Sequence, residues 1–226
     1  MNNFKEIFGY FIFITLIFII ISIILINSNN DIKNLFYIEY IYIFIVIFGS
    51  YIININTHDD LNEKNRLIVL LYTLLPWVII FIGVYILLNI YNNWITPFSN
   101  TIGYIFVNNI LGLSRTFKNL INDPNDTGVN NNEKIIEAIA NFNNNYEILL
   151  NSLNPDDNDG FVKFFNDFYN AKILNKTANI VNGIYSEPIT TIKNLLKIKD
   201  FIGKICWFIL AGTLSISVMN NSLNDI

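Results

Sequence analysis

Four stretches of this chain are apolar along every residue rather than at helical or strand spacing, and polar runs separate them. Ile7 to Ile26 reads IFGYFIFITLIFIIISIILI, twenty residues without a charge, interrupted only by Gly9, Tyr10, Thr15 and Ser22. At about 1.5 Å rise per residue, such a helix covers the roughly 30 Å hydrocarbon core of a bilayer. Its sixteen Ile, Leu and Phe side chains, at about −0.3 to −0.6 kcal/mol each, favour insertion by several kcal/mol. A helix buried in a water-soluble domain is seldom apolar on all sides. A cleaved leader is disfavoured, because the run is too long and no A-x-A-like site follows it. The second stretch, Leu35 to Ile53, carries Glu39 in its first turn, within reach of the headgroups. The third, Leu67 to Leu88, contains Pro76, which removes one backbone hydrogen bond and predicts a kink. The fourth, Phe201 to Val218, carries Lys204 one turn in, where it can snorkel to the surface. The pattern predicts an all-α integral membrane protein with about four transmembrane helices (7–26, 35–53, 67–88 and 201–218).

Glu39 and Lys204 are the two charged residues inside these spans, and intramembrane charges are functional candidates by default. Both lie near predicted helix ends, where interfacial solvation requires no partner. They pair only if the second and fourth spans touch at matching depth.

Residues 92–113 connect the third span to the polar part of the chain. Tyr91, Trp94 and Phe98 suit the headgroup level. Pro97 pushes Thr96 towards an extended conformation and predicts a break there. Ser99 or Asn100 then caps a short helix with Ile102, Ile105, Phe106, Ile110 and Leu113 along one stripe. About a dozen residues are too few to span. The segment either lies in the interface or re-enters the bilayer, with Asn108 and Asn109 as polar lining. The first reading is the simpler one.

The polar region 114–200 predicts a small helical domain. Asn122 to Asn132 is a loop by its Pro, Gly and Asn content. Glu133 to Leu153 places Ile135, Ile136, Ile139, Phe142, Tyr146, Leu149, Leu150 and Leu153 on one helix face. After the NPDDNDG turn, Phe161, Phe165, Phe168, Tyr169, Ile173, Ile180 and Ile184 form a second amphipathic run. A helix from Ile189 is expected to run through Leu195 and Leu196 into the fourth span. Packing the stripes together makes a domain; leaving one exposed makes a docking face for a partner helix, around Ile139 and Phe165.

Composition narrows the chemistry. Of 226 residues, 53% are hydrophobic and only 14% charged, with a mean hydropathy of +0.42, against roughly a quarter charged in a globular domain. The 45 Ile and 38 Asn against 5 Ala point to an AT-rich genome. A net charge of −4 argues against a nucleic-acid partner, which calls for a basic face. One Cys (Cys206) and one His (His58) exclude a disulfide framework, a Cys/His zinc site and a Cys–His nucleophile. Asp156, Asp157 and Asp159 before Gly160 do not make a calcium loop, because neither Pro155 nor Asn166 supplies the required terminal carboxylate. Asp59 and Asp60 beside His58 lack a further ligand. There is no P-loop, GxSxG or GxGxxG, so no cofactor, small-molecule substrate or enzymatic activity is expected. Lys193, Lys197, Lys199 and Lys204 precede the fourth span, and the tail after it has no positive residue. By the positive-inside rule that places region 114–200 in the cytosol and both termini opposite, with Lys64 and Arg66 running against the trend.

Two stretches carry a resemblance. Trp94-Ile-Thr-Pro97-Phe98-Ser99-Asn100-Thr101-Ile-Gly103-Tyr104 resembles a W-x-x-P-F-S-N-T-x-G-Y pattern of uncharacterised multi-span membrane proteins of nucleocytoplasmic large DNA viruses. Trp207-Phe-Ile-Leu210-Ala-Gly212-Thr-Leu214-Ser-Ile-Ser217, followed by Asn220, is similar to that family's W-x-x-L-x-G-x-L-x-x-S-x-x-N ending. The resemblance implies a virus-encoded protein of the virion's internal membrane or a host endomembrane, and no particular chemistry. The expected role is structural: anchoring the helical domain to the membrane and connecting it to capsid or scaffold proteins, or to further copies of itself. The alternative is a small channel or viroporin, with the segment around Pro97 re-entering the bilayer. If lipid is the solvent of the four apolar stretches, the chain sediments with membranes from a detergent-free lysate; recovery in the high-speed supernatant would overturn this.

Overall fold

The computed structural model describes residues 2–28, 32–57, 63–123, 133–175, 178, 180–181 and 184–224. His58, Asp59 and Asp60, and most of the 122–132 loop, lie outside them. The chain divides into two compact units, Met1–Pro97 with Gly203–Ile226, and Phe98–Ile202.

The first unit is a helical bundle. Helices α1 (Asn2–Asn27) and α2 (Ile32–Thr57) each have 26 residues, about 39 Å of helix. Tyr10 meets Ile45 and Phe18 meets Tyr42, so the two run antiparallel. The third predicted span is α3 (Glu63–Pro76), a π-helical turn Trp77–Ile82, and α4 (Gly83–Ile90). The irregularity predicted from Pro76 is therefore a π turn directly after it, where the helix re-spaces its hydrogen bonds around the missing donor. The fourth span belongs to α10 (Glu187–Asn224), an unbroken helix of 38 residues, and begins well before Phe201, as the expectation of one continuous helix required. Glu39 pairs with Lys204 and Asn54 with Met219, both 165 residues apart, so α2 and α10 run parallel in register. The second and fourth spans of an up-and-down bundle must do so.

All four helices are long and apolar enough to cross a membrane, and the distribution of side chains is that of a protein dissolved in lipid. The surface of this unit is Phe13, Leu16, Ile20, Ile24, Phe44, Phe48, Leu75, Ile79, Leu210 and Leu214, all exposed. Its interior holds the polar residues Thr15, Glu39, Ser50, Asn54, Thr73, Lys204 and Ser215. Polar groups seek one another here because the solvent outside offers them nothing. Between them lies an aromatic core: Phe11 against Trp77, Trp77 against Phe81 and Phe81 against Phe208, with centroids 5.2–5.8 Å apart.

The second unit is a small α-domain. Helix α5 (Thr96–Phe98), starting just ahead of the unit, continues through a π turn Ser99–Gly103 into α6 (Tyr104–Asn109). Gly112 then turns the chain at φ +76°, a left-handed conformation that suits glycine, and α7 (Leu113–Lys118) follows. Helix α8 (Glu133–Ser152) matches the predicted element, with Ile139, Phe142, Tyr146 and Leu150 as its buried stripe. Helix α9 (Asn158–Asn170) starts at Asp157, whose carboxylate accepts the Gly160 N–H at 3.0 Å, so the acidic turn is a helix cap.

The second amphipathic run is not one helix. It ends at Asn170, and Lys172 takes a left-handed φ of 61°. Leu174 then bridges to Ile121, and Asn122 Nδ2 binds the Lys172 carbonyl at 2.7 Å. Ile180 and Ile184 fall in a minimal antiparallel pair, β1 (Ile180–Val181) with β2 (Ile184–Tyr185). Their apparent helical spacing across this turn is coincidental. Phe117, Phe142, Phe161 and Phe165 are buried together, with Phe168 4.6 Å from Phe142 and Phe165 4.9 Å from Phe161. Ile139 and Phe165 are core residues, so the sequence-based docking face around them is withdrawn. Truncating Phe165 to Ala should cost about 3–5 kcal/mol and make 133–170 protease-sensitive in the detergent-solubilised chain. Phe44→Ala, at a lipid-facing position, should leave that sensitivity unchanged.

Candidate functional site

Inside the first unit the two intramembrane charges meet. Glu39 is 2% and Lys204 8% exposed. Lys204 Nζ donates to Glu39 Oε1 at 2.7 Å, to Oε2 at 2.8 Å and to Asn89 Oδ1 of α4 at 3.3 Å. An ammonium has three donors, and all three are engaged. The Tyr85 and Phe208 rings lie 5.1 and 5.7 Å from the nitrogen, close enough for cation–π attraction.

Snorkelling to the interface is therefore corrected to pairing, for a definite reason. Lys204 and Glu39 are both buried within the unit, and all three donors of the ammonium are taken by Glu39 and Asn89. The parallel register of α2 and α10 brings the two side chains face to face.

Smaller polar contacts continue along the same helices. Asn54 Nδ2 donates to Thr73 Oγ1 at 2.9 Å and to Met219 Sδ at 3.1 Å, joining α2, α3 and α10. Ser215 Oγ reaches the Pro76 carbonyl at 3.3 Å beside the π turn. Thr15 and Tyr42 share a hydrogen bond of 2.8 Å between α1 and α2.

Each candidate residue of the two sequence patterns finds a place in this packing. Trp207 Nε1 donates to the Trp94 carbonyl at 2.7 Å, and their rings lie 6.3 Å apart, so the two patterns meet directly. Gly212 packs where a Cβ would collide with the Phe11 ring, and it lets α10 approach α1 closely.

The remaining pattern residues lie in or at the edge of the second unit. Ser99 is buried, and its Oγ donates to Asp200 rather than capping a helix. Asn100 Oδ1 accepts from Lys199 Nζ at 3.0 Å, and Asn151 Oδ1 of α8 does so at 3.4 Å. Lys199 is 1% exposed and stands 3.9 Å from the Asp200 carboxylate. Gly103 has the Lys199 carbonyl where a Cβ would sit. Tyr104 OH is 3.3 Å from Ser114 Oγ, and burial raises its phenol above the ordinary value. Phe98 is half-buried and Thr101 exposed.

The backbone break predicted at Thr96 comes earlier, at Tyr91 (φ −117°, ψ 75°), followed by a 3₁₀ turn Asn92–Trp94. Thr96 is helical, and Pro97 sits in the first turn of α5, where its missing N–H costs nothing. Of the predicted stripe, Ile102, Ile105 and Ile110 face outward and Leu113 is buried, while Ser99, Gly103 and Val107 form the inward face.

Asn89, Tyr85, Asp200 and Asn151 escape the sequence reading, and Lys199 enters it only as a charge that sets orientation. The adjacent opposite charges of Lys199 and Asp200, just ahead of an apolar stretch, were the available signal. Lys199 and Lys204, two of the charges on which the predicted orientation rests, both bond to internal partners. Among the described residues no three of His, Cys, Asp and Glu gather as a metal would require.

Compared with known protein families, curated proteins and solved structures, the chain matches none of them.

The chemistry of the ion pair is cohesive. Removing one partner strands the other charge in a low-dielectric interior, at a cost of about 3–5 kcal/mol, whereas replacing both by apolar or neutral groups is often neutral or stabilising. Lys204→Met and Glu39→Gln should each lower the melting temperature of the detergent-solubilised protein, followed by tryptophan fluorescence. The Glu39→Gln/Lys204→Met double variant should recover most of the loss. Single variants that melt like the parent chain would show that the pair holds nothing.

Proposed function

We propose that this protein is a structural membrane anchor: four spans that fix a small helical domain to a bilayer, where it meets capsid or scaffold proteins. By the resemblance of its two sequence patterns, the membrane is the virion's internal membrane or the host endomembrane from which it forms. The observation that carries this reading is the filled interior of the first unit. Phe11, Trp77, Phe81 and Phe208 are completely buried along its centre, and the one intramembrane ion pair is closed upon itself.

A conducting pore needs a polar, hydrated path, and aromatic rings packed at the centre of the described residues of this unit work against one through a single copy. That weighs against the alternative of a small channel. The second unit supports the anchoring role in the same way, since its phenylalanine stripes are used for its own core. A partner therefore meets its surface side chains rather than an open groove between its helices.

The test is electrical and spatial. Purified protein reconstituted in planar bilayers should pass no current, and crosslinking in infected cells should join it to a capsid or scaffold component. Discrete current steps would overturn the reading in favour of the channel.

A further inference from the structure

We propose that the first unit binds a water molecule between α2 and α3, one that takes the Trp77 indole proton and donates to the Asn54 side-chain carbonyl. The inference goes beyond the anchoring reading and does not depend on any protein partner. Asn54, Thr73 and Trp77 are each 0% exposed. Two of their polar atoms, Asn54 Oδ1 and Trp77 Nε1, are buried without a hydrogen-bond partner. A buried polar group left in this state bears the full cost of its lost hydration, and hydrocarbon outside the helices does nothing to repair it.

The two atoms are complementary, since the amide oxygen only accepts and the indole N–H only donates. Met219 sets the orientation of the amide, because a thioether has no proton to give. Nδ2 therefore faces Met219 Sδ at 3.1 Å and Thr73 Oγ1 at 2.9 Å, and Oδ1 is the atom left over. Thr73 brings the indole to the same place. It touches Asn54 directly, and Trp77 follows it by four residues, on the same helix face. A helical side chain leans over the turn that precedes it, which carries the Trp77 ring towards Thr73.

Size and charge select water as the bridge. The neighbouring turns of α2 and α10 contribute Ser50 and Ser215, both small and both 0% exposed. Their hydroxyls are occupied by the Val46 and Ala211 carbonyls at 2.7 and 2.8 Å. A cation is repelled by the indole proton and an anion by the amide oxygen. Water gives and takes hydrogen bonds at once, and buried waters make two to four of them. Trp77, Asn54 and the Thr73 hydroxyl, whose proton is not used in its bond to Asn54, supply three. Asn54 lies one turn from the end of α2 at Thr57, so the path from that end is short. On the other side Trp77 packs against Phe11 and Phe81, which makes this a closed site rather than part of a channel.

The test uses the full chain, ¹⁵N-labelled at tryptophan and held in phosphatidylcholine nanodiscs. Its three tryptophans give three indole N–H signals, and the Trp77 signal is the one lost in Trp77→Phe. The expected result is a cross-peak from the Trp77 indole proton to water, of dipolar rather than exchange sign. Its exchange into deuterated solvent should be at least tenfold slower than that of the exposed Trp94. A Trp77 indole without a water cross-peak would overturn the proposal. Asn54→Leu, with the Trp94 and Trp207 signals unmoved as the sign of an intact fold, should abolish the cross-peak. Its survival there would show that the two groups do not share a water, and would overturn the bridge. The parent spectrum decides the matter if that variant does not fold. None of these results bears on whether the protein conducts or what it meets, so failure here is separable from failure of the anchoring reading.

Discussion

A charge placed in hydrocarbon must find an opposite charge and fill its hydrogen bonds, and no water stands by to complete the job. Lys204 and Glu39 meet this requirement through three donor contacts shared with Asn89, inside a shell formed by the Tyr85 and Phe208 rings. The pairing sets the register of α2 against α10, because one residue of slip would turn Lys204 by about 100° and leave both groups unmatched. Asn54 and Met219 repeat the same offset four turns further along. The rest of the first unit follows from that register, including the meeting of Trp207 with Trp94.

Van der Waals packing supplies what the polar contacts do not. Lipid chains are as apolar as leucine, so helices in a bilayer associate by close fit and hydrogen bonding rather than by hydrophobic expulsion. Gly212 against the Phe11 ring is one such close fit. In the second unit the balance reverses. There, in a region poor in long apolar runs, phenylalanine burial among α7, α8 and α9 is the organising force, as it is in any small water-facing domain.

The Trp94–Tyr104 and Trp207–Ser217 patterns acquire a physical meaning in this setting. Trp94, Ser99, Asn100 and Gly103 each contact α10, through Trp207, Asp200, Lys199 and the Lys199 backbone respectively. Pro97 allows the helix to start immediately after the aromatic turn. The patterns read as packing and hydrogen-bonding instructions.

The spans, the class of the fold, helix α8 and the continuity of α10 were legible from residue order alone. Apolar content over twenty residues and spacing of three and four are local properties of the chain. The ion pair was not legible, because it depends on the register of α2 against α10, two helices whose paired residues lie 165 positions apart in the chain. The inward face of the 96–109 segment was hidden for a related reason, since Gly103 and Ser99 claim it by close approach and by a hydrogen bond, which apolar spacing does not signal. The end of α9 at Asn170 goes with the bridge of Leu174 to Ile121, some fifty residues away. Long-range pairing of this sort lies beyond any periodicity, since contact across the fold, rather than spacing along the chain, determines which of several local conformations is kept.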